Sequence, residues 1–139
     1  MPSNNEATTG EWIYRAMLEE NGFPMPGQSA VRLGIRPGRD IAVDANGLVH
    51  RPAFHAGGKN GLSCAPELLL LPPFALPIKF GGSHKKTEVW RIKNRDLPSD
   101  LMACQDGPRH VSIGPNDTMT FLRFVELIRR TAPAWAKVS

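Results

Sequence analysis

Cysteine is scarce in this sequence: Cys64 and Cys104 are the only two. Two thiols make no disulfide framework, and neither sits in a CxxC motif. A reducing compartment follows as the working assumption, with a single Cys64–Cys104 bridge left open. Long apolar runs are missing as well. The longest is Leu68-Leu69-Leu70-Leu71, stopped by Pro72-Pro73, far short of the ~20 residues a membrane helix needs. No block of five like charges occurs, and the net charge of +4 with a pI near 9.4 is a mild excess that helps the chain meet an anionic ligand. Basic residues interleaved with aromatics are absent, which makes a nucleic-acid-binding domain the third-ranked reading. There is no Gly-Lys-Ser/Thr triplet of a Walker loop and no Rossmann glycine spacing. Met1 to Thr9 is polar and lacks the apolar centre of a secretory signal peptide.

Glycine and proline, in contrast, are abundant at 13 each in 139 residues. Such density favours many short elements joined by turns over a helical bundle. With 41% apolar and 22% charged residues the composition suits a folded domain. We expect residues 1–10 to be a loose tail and residues 11–139 to form one domain of mixed α+β class.

Glu11 to Met17 reads as a strand, with a short helix continuing to Glu20 as the alternative. Trp12, Tyr14 and Ala16 share one face, Ile13, Arg15 and Met17 the other. Arg15 thus projects from an apolar face and needs an anion, either a ligand or a neighbouring carboxylate. From Asn21 to Gly38 turn residues dominate, which reads either as the rim of an anion site, given Arg32, Arg36 and Arg39, or as a solvated loop with a short strand at 31–33. Asp40–Asp44 and Leu48–His50 flank Asn46-Gly47, the strongest short hairpin signal. Glu67–Leu71 makes at most a turn or two. A second glycine loop, Phe80 to Thr87, reads as a mobile solvated connection. Glu88–Lys93 and His110–Ile113 alternate as strands, with His110 and Ser112 on one face. Asp96–Leu101 reads as a turn and a helical turn, Gln105–Pro108 as another turn. Phe121 to about Arg130 is a helix capped by Thr120, with Phe121, Phe124, Val125 and Ile128 as its stripe. Beyond it the chain trails off, with Trp135 packing back.

The candidate functional stretch is Gly57-Gly58-Lys59-Asn60-Gly61-Leu62-Ser63. Its glycines let backbone approach a ligand, Lys59 adds positive charge and Ser63 a hydroxyl. An ordinary surface turn is the plain alternative. His50, His55 and Cys64 lack the tight spacing of a zinc site, so no metal is expected. Tyr14 or Trp90 could stack on a flat ring, or serve as core, and His110 could orient a hydroxyl.

The order of these pieces resembles a known family. Tyr14-Arg15-Ala16, Asp40–Asp44 with Gly47-Leu48-Val49, Gly61-Leu62-Ser63, Gly81-Gly82, Val89-Trp90-Arg91-Ile92, Asp96-Leu97-Pro98, Asp100-Leu101, Gln105-Asp106, His110 with Ile113 and Pro115, and Met119-Thr120 follow one another as in small toxins delivered by type VI secretion that have an ADP-ribosyltransferase-like fold, and in their bacterial and fungal relatives. The likeness runs from about Trp12 onward. It implies two small β-sheets enclosing an NAD cleft, with a C-terminal helix. It implies a cytotoxic effector that binds NAD as substrate and transfers ADP-ribose to a macromolecule, or hydrolyses NAD. A toxin of this fold acting by partner binding without turnover is the alternative. A cognate immunity protein is the implied partner. The chain would reside in the cytoplasm of the producing cell and then be secreted or injected into a target. By resemblance the catalytic set is Arg15, Ser63 and Gln105, and the cofactor-binding set is Tyr14, Arg15, Gly61, Leu62, Ser63 and His110. The sequence departs from many relatives at Gly114, where they carry glutamate. The role of that glutamate then falls to Gln105 or Asp106, or to no residue.

Overall fold

The computed structural model describes residues 11–52 and 59–138. The expected tail, together with Phe54, His55, Gly57 and Gly58, lies outside the described residues. In chain order the elements are β1 (Trp12–Met17), β2 (Glu19–Glu20), β3 (Phe23–Pro24), β4 (Leu48–Val49), β5 (Leu62–Cys64), β6 (Glu88–Lys93), β7 (Leu101–Gly107), β8 (His110–Pro115), β9 (Met119–Thr120), α1 (Phe121–Arg130) and β10 (Ala136–Val138). The class is α+β, as expected.

Two three-stranded antiparallel sheets carry the architecture. One has the order β10-β6-β1, the other β5-β8-β7. They are joined where Tyr14 and Ala65 exchange both backbone hydrogen bonds, at 2.9 and 2.8 Å. Alternation on β1 and β6 sends Ile13, Met17, Trp90 and Ile92 inward. They meet Leu62, Ala103, Val111 and Ile113 of the second sheet in a shared core. Helix α1 closes this core with Phe124, Leu127 and Ile128 buried, each side chain contributing about 1.5–3 kcal/mol by leaving water. The Thr120 hydroxyl accepts from the Arg123 amide at 3.2 Å, so the helix starts where its cap was expected. Leu127 completes the buried stripe, while Phe121 and Val125 are only partly covered.

Five expectations are corrected. The Asn46-Gly47 turn forms, with Gly47 N–H donating to the Asp44 carbonyl at 3.0 Å, but it joins no two-stranded hairpin. The Asp44 carboxylate takes the amides of Asn46 and Leu48 at 2.8 and 3.0 Å, a local bond that competes with a ladder. β4 pairs instead with β9. Residues 101–107 form a full strand where turns were expected, because β8 offers a second edge to pair and pairing overrides weak local propensity. The helical turn falls earlier, at Asn94–Asp96. The segment after Trp135 does not trail off: β10 lines the edge of β6, and Trp135 donates to Thr131 Oγ1 at 2.9 Å. Val31 to Leu33 forms no strand, only a single bridge from Leu33 to Pro26. Cys64 and Cys104 are both buried and are not joined in a disulfide.

Gly61 sits where β5 presses on β8. Its φ is +144°, and a Cβ there would stand 2.1 Å from the Ile113 carbonyl oxygen. Gly61→Ala therefore costs at least about 1–3 kcal/mol, read as a lowered urea midpoint; wild-type stability would contradict this close approach.

Candidate active site

Ser63 is the middle residue of β5 and lies directly opposite Ser112 of β8. Paired residues point to one face, and His110, two residues before Ser112, shares it. The β7–β8 ladder shifts register between Cys104 and Gly107. That irregularity, together with the turn into His110, brings Asp106 beneath the imidazole. The result is a chain of short contacts. Ser63 Oγ lies 2.7 Å from His110 Nε2, and His110 Nδ1 lies 2.6 Å from Asp106 Oδ1. The other carboxylate oxygen, Asp106 Oδ2, accepts from Ser112 Oγ at 2.7 Å and Asn60 Nδ2 at 2.9 Å.

The Asp106 side chain has no solvent exposure. Burial pushes its carboxyl pKa up, but the hydrogen bonds from His110, Ser112 and Asn60 outweigh this and hold it below the ordinary value. An ionised Asp106 assigns the imidazole tautomer: Nδ1–H donates to the carboxylate and Nε2 accepts from the Ser63 hydroxyl. A hydroxyl hydrogen-bonded to a base that is itself oriented by a carboxylate is the arrangement of an activated nucleophile or of a proton relay.

Arg15 lies behind this relay and is 5% exposed. Its Nη1 donates to the Ser63 carbonyl at 2.5 Å, and its Nη2 to the carbonyls of Arg32 at 2.7 Å and Ser29 at 3.2 Å. Its Nε has no partner among the described residues. Burial lowers its pKa, and no carboxylate touches it among the described residues. Two adjoining cavities of about 350 and 480 Å³ share Arg36, Ser63, Arg109 and His110 as lining. Arg15 lines the smaller; Arg39, Lys59 and Asp106 line the larger. Arg36 is neutralised by Asp40 in a two-pronged pair at 2.8 and 3.1 Å. Among the described residues no carboxylate pairs with Arg39, Lys59 or Arg109. The cleft is therefore electropositive, of a size that takes a small-molecule ligand, and has a basic relay at its centre.

The family model described as Tse2 ADP-ribosyltransferase toxin matches residues 12–135, from the first residue of β1 to the residue before β10. The chain belongs to the Tse2 ADP-ribosyltransferase toxin family. Searches of curated proteins and of solved structures give no match.

Against this family background the residues named from sequence divide clearly. Arg15, Ser63, His110 and Gly61 reach the cleft. Arg15 differs from a free phosphate clamp, since three of its donors are engaged by backbone carbonyls. Leu62 is 1% exposed and belongs to the core below. Tyr14 is on the other face of β1, in a separate depression with Trp12 and Pro66, and so does not stack in the cleft. Trp90 is buried and donates to the Met17 carbonyl. Gln105 turns its amide onto the Gly107 carbonyl at 3.1 Å and lines neither cavity; of the two candidates to stand in for the glutamate, Asp106 is the one at the site. His50 bonds Asp44 and Thr118, and no group of three metal-ligand side chains occurs among the described residues. Sequence reasoning missed Arg109 and Ser112 as site residues, and it included Asn60 in the candidate stretch without giving it a role. The His110-x-Ser112 spacing on one face was the available signal for Ser112.

Because its pKa is depressed on folding, Asp106 contributes stability at neutral pH. This stability is present above the unfolded-state value of about 3.9 and is lost as pH falls through the lower folded value. The melting temperature of wild type should therefore drop more steeply below about pH 4 than that of Asp106→Asn. Parallel acid limbs for the two proteins would contradict an ionised Asp106.

Proposed function

We propose that this toxin binds NAD along the cleft, breaks its nicotinamide–ribose bond beside Ser63 and His110, and passes ADP-ribose to a macromolecular acceptor or to water. The observation that carries the reading is the juxtaposition of a Ser63–His110–Asp106 relay with the cations Arg39, Lys59 and Arg109, none of them paired to a carboxylate among the described residues. A pyrophosphate bears negative charge and suits that cationic wall. The buried charge of Arg15 adds to the same field at the floor of the smaller cavity. Ser63 and His110 supply a hydroxyl and an imidazole to the ribose and carboxamide end.

The chemistry follows from the residue types. The C1′–nitrogen bond breaks with its electron pair leaving on neutral nicotinamide, and positive charge develops on the ribosyl carbon. The carboxylate of Asp106, one imidazole away, favours that charge and any charge His110 gains. His110 takes the proton of the incoming acceptor oxygen or nitrogen as the new bond to C1′ forms. Asp106 thereby assumes through His110 the part that a glutamate at position 114 plays in relatives. In this reading the producing cell holds a neutralising immunity protein, and the toxin acts after type VI delivery into a target cell. Both points rest on the family likeness. The fold acting by partner binding without turnover is the second reading, favoured by the glycine at 114.

Incubation with labelled NAD and target-cell lysate should release nicotinamide and label a macromolecule. Ser63→Ala and His110→Ala should each reduce release by about 10²–10⁴-fold. The triple change Arg39→Gln, Lys59→Gln, Arg109→Gln should raise KM for NAD and flatten its dependence on salt. No release by wild type, with toxicity retained in Ser63→Ala, would leave only the binding reading.

A further inference from the structure

We infer that the strap from Pro66 to Phe80 docks a protein target of the toxin through an apolar segment of that protein, and so holds the acceptor beside the cleft. On the NAD reading above that protein receives ADP-ribose; without it, the strap still selects the target. Of the five large apolar side chains that are half exposed or more among the described residues, three lie in this strap: Leu69 at 71%, Phe74 at 61% and Ile78 at 57%. Single exposed apolar residues are ordinary, but their concentration on one short segment marks a contact site. Looseness does not account for them. Leu71, Ala75 and Leu76 are buried and anchor the inner side of the strap in a second small core with Ala16 and Val89. The amides of Ala75 and Leu76 both donate to the Pro72 carbonyl at 3.0 Å, and the Ser83 amide donates to the Pro73 carbonyl at 3.0 Å. The Thr87 hydroxyl donates to the Ala75 carbonyl at 2.6 Å. Pro72, Pro73 and Pro77 each fix their own φ. With the inner side anchored, the three outer side chains stay in water, and they lose little conformational entropy when a partner covers them.

Position and charge say what covers them. Residues 70–75 line the smaller cavity together with Ser63 and His110. The preceding residues, Leu68 and Leu69, line a separate depression of about 410 Å³ with Trp12, Tyr14 and Pro66. Consecutive residues of the strap thus face the reacting groups on one side and two aromatic rings on the other. A macromolecule lying across the strap reaches the bond at Ser63 and His110, whereas water as the sole acceptor needs no docking surface. Between Pro66 and Phe80 only Glu67 and Lys79 are charged, and Lys79 pairs with Glu88 at 3.5 Å. Nucleic acid is held through cations that neutralise its phosphates, and the strap has no such row. The centre of a protein–protein interface is poor in charge and rich in aromatic side chains, which is the character of this surface. The depression beside Leu69 takes one side chain of the partner as its anchor.

The test uses the full chain. Leu69→Ser and Ile78→Ser are combined in one variant, and Leu122→Ser, a similarly exposed residue on α1, is the control. Thermal melts confirm that each variant folds. Labelled NAD with target-cell lysate should yield a labelled macromolecule that protease destroys and nuclease does not. Without lysate, the double variant should release nicotinamide to water at the wild-type rate. With lysate, it should label the protein at least about 10-fold less. Toxicity should be lost in cells that produce the double variant at the wild-type level, and kept with Leu122→Ser. Once the labelled protein is purified, the defect should appear as a raised KM for it, with kcat and the KM for NAD unchanged. Label on nucleic acid, nicotinamide release with no labelled macromolecule, or labelling and toxicity unchanged in the double variant overturns the inference, and each leaves nicotinamide release from NAD standing. A wild-type dimer that the double variant splits into monomers also overturns it, by assigning the strap to a second copy. No nicotinamide release by wild type, with toxicity lost in the double variant and kept in the control, supports the docking and sinks the NAD reading instead.

Discussion

A guanidinium sealed from solvent, in contact with three carbonyl oxygens and no carboxylate among the described residues, holds the site in place. Arg15 reaches from β1 to the carbonyl of Ser63 on β5 and to the carbonyls of Ser29 and Arg32 in the long excursion after β3. Burying such a charge is costly unless its donors are satisfied. Those oxygens come from two parts of the chain far apart in sequence, residues 29–32 and β5. Each of them is therefore fixed relative to the others. The two exchanged hydrogen bonds between Tyr14 and Ala65 do the same for the sheets just alongside. Removing both leaves the two sheets joined mainly by side-chain packing.

On this base the second sheet performs a geometric task. β5, β8 and β7 lie side by side, and one face of the three presents Ser63, His110, Ser112 and Asp106 to each other. No loop has to close for the contacts to form. Sites on strands are held more tightly than sites on loops, because the ladder fixes each Cα and the pleat fixes each direction. The cations come from elsewhere: Arg36 and Arg39 from the excursion, Lys59 from the segment before β5, Arg109 from the β7–β8 turn. A rigid chemical centre is thus rimmed by longer and more adaptable side chains, an arrangement that suits an extended anionic ligand.

What sequence could tell follows from the physics of each element. β1, β6, β8 and α1 are long enough for alternation or helical spacing to show, and they appear where expected. β5 has only three residues, too few for any period, and β10 likewise. β7 was hidden because Gln105, Asp106 and Gly107 carry turn propensity, while their strand conformation comes from pairing with β8. The same ladder explains the split between Gln105 and Asp106. Strand parity and the register shift decide which of two neighbours faces the cleft, and neither is written in composition. Arg15 was legible as a polar group on an apolar face, and Tyr14 by that same parity belongs to the opposite face. The family likeness named Ser63 and His110 and offered Asp106 only beside Gln105 as a stand-in for the glutamate, since Asp106 meets His110 only through a folded turn.

Cys64 adjoins Ser63 yet faces the other way, 4% exposed, and burial pushes its thiol pKa up to about 12. Only thiolate attacks oxidants, alkylators or another disulfide, and at neutral pH its share here is on the order of one part in 10⁵. Cys104 is entirely covered. The polypeptide is therefore blind to redox surroundings. Folded, it can meet an oxidising medium without acquiring a bond that must later be undone.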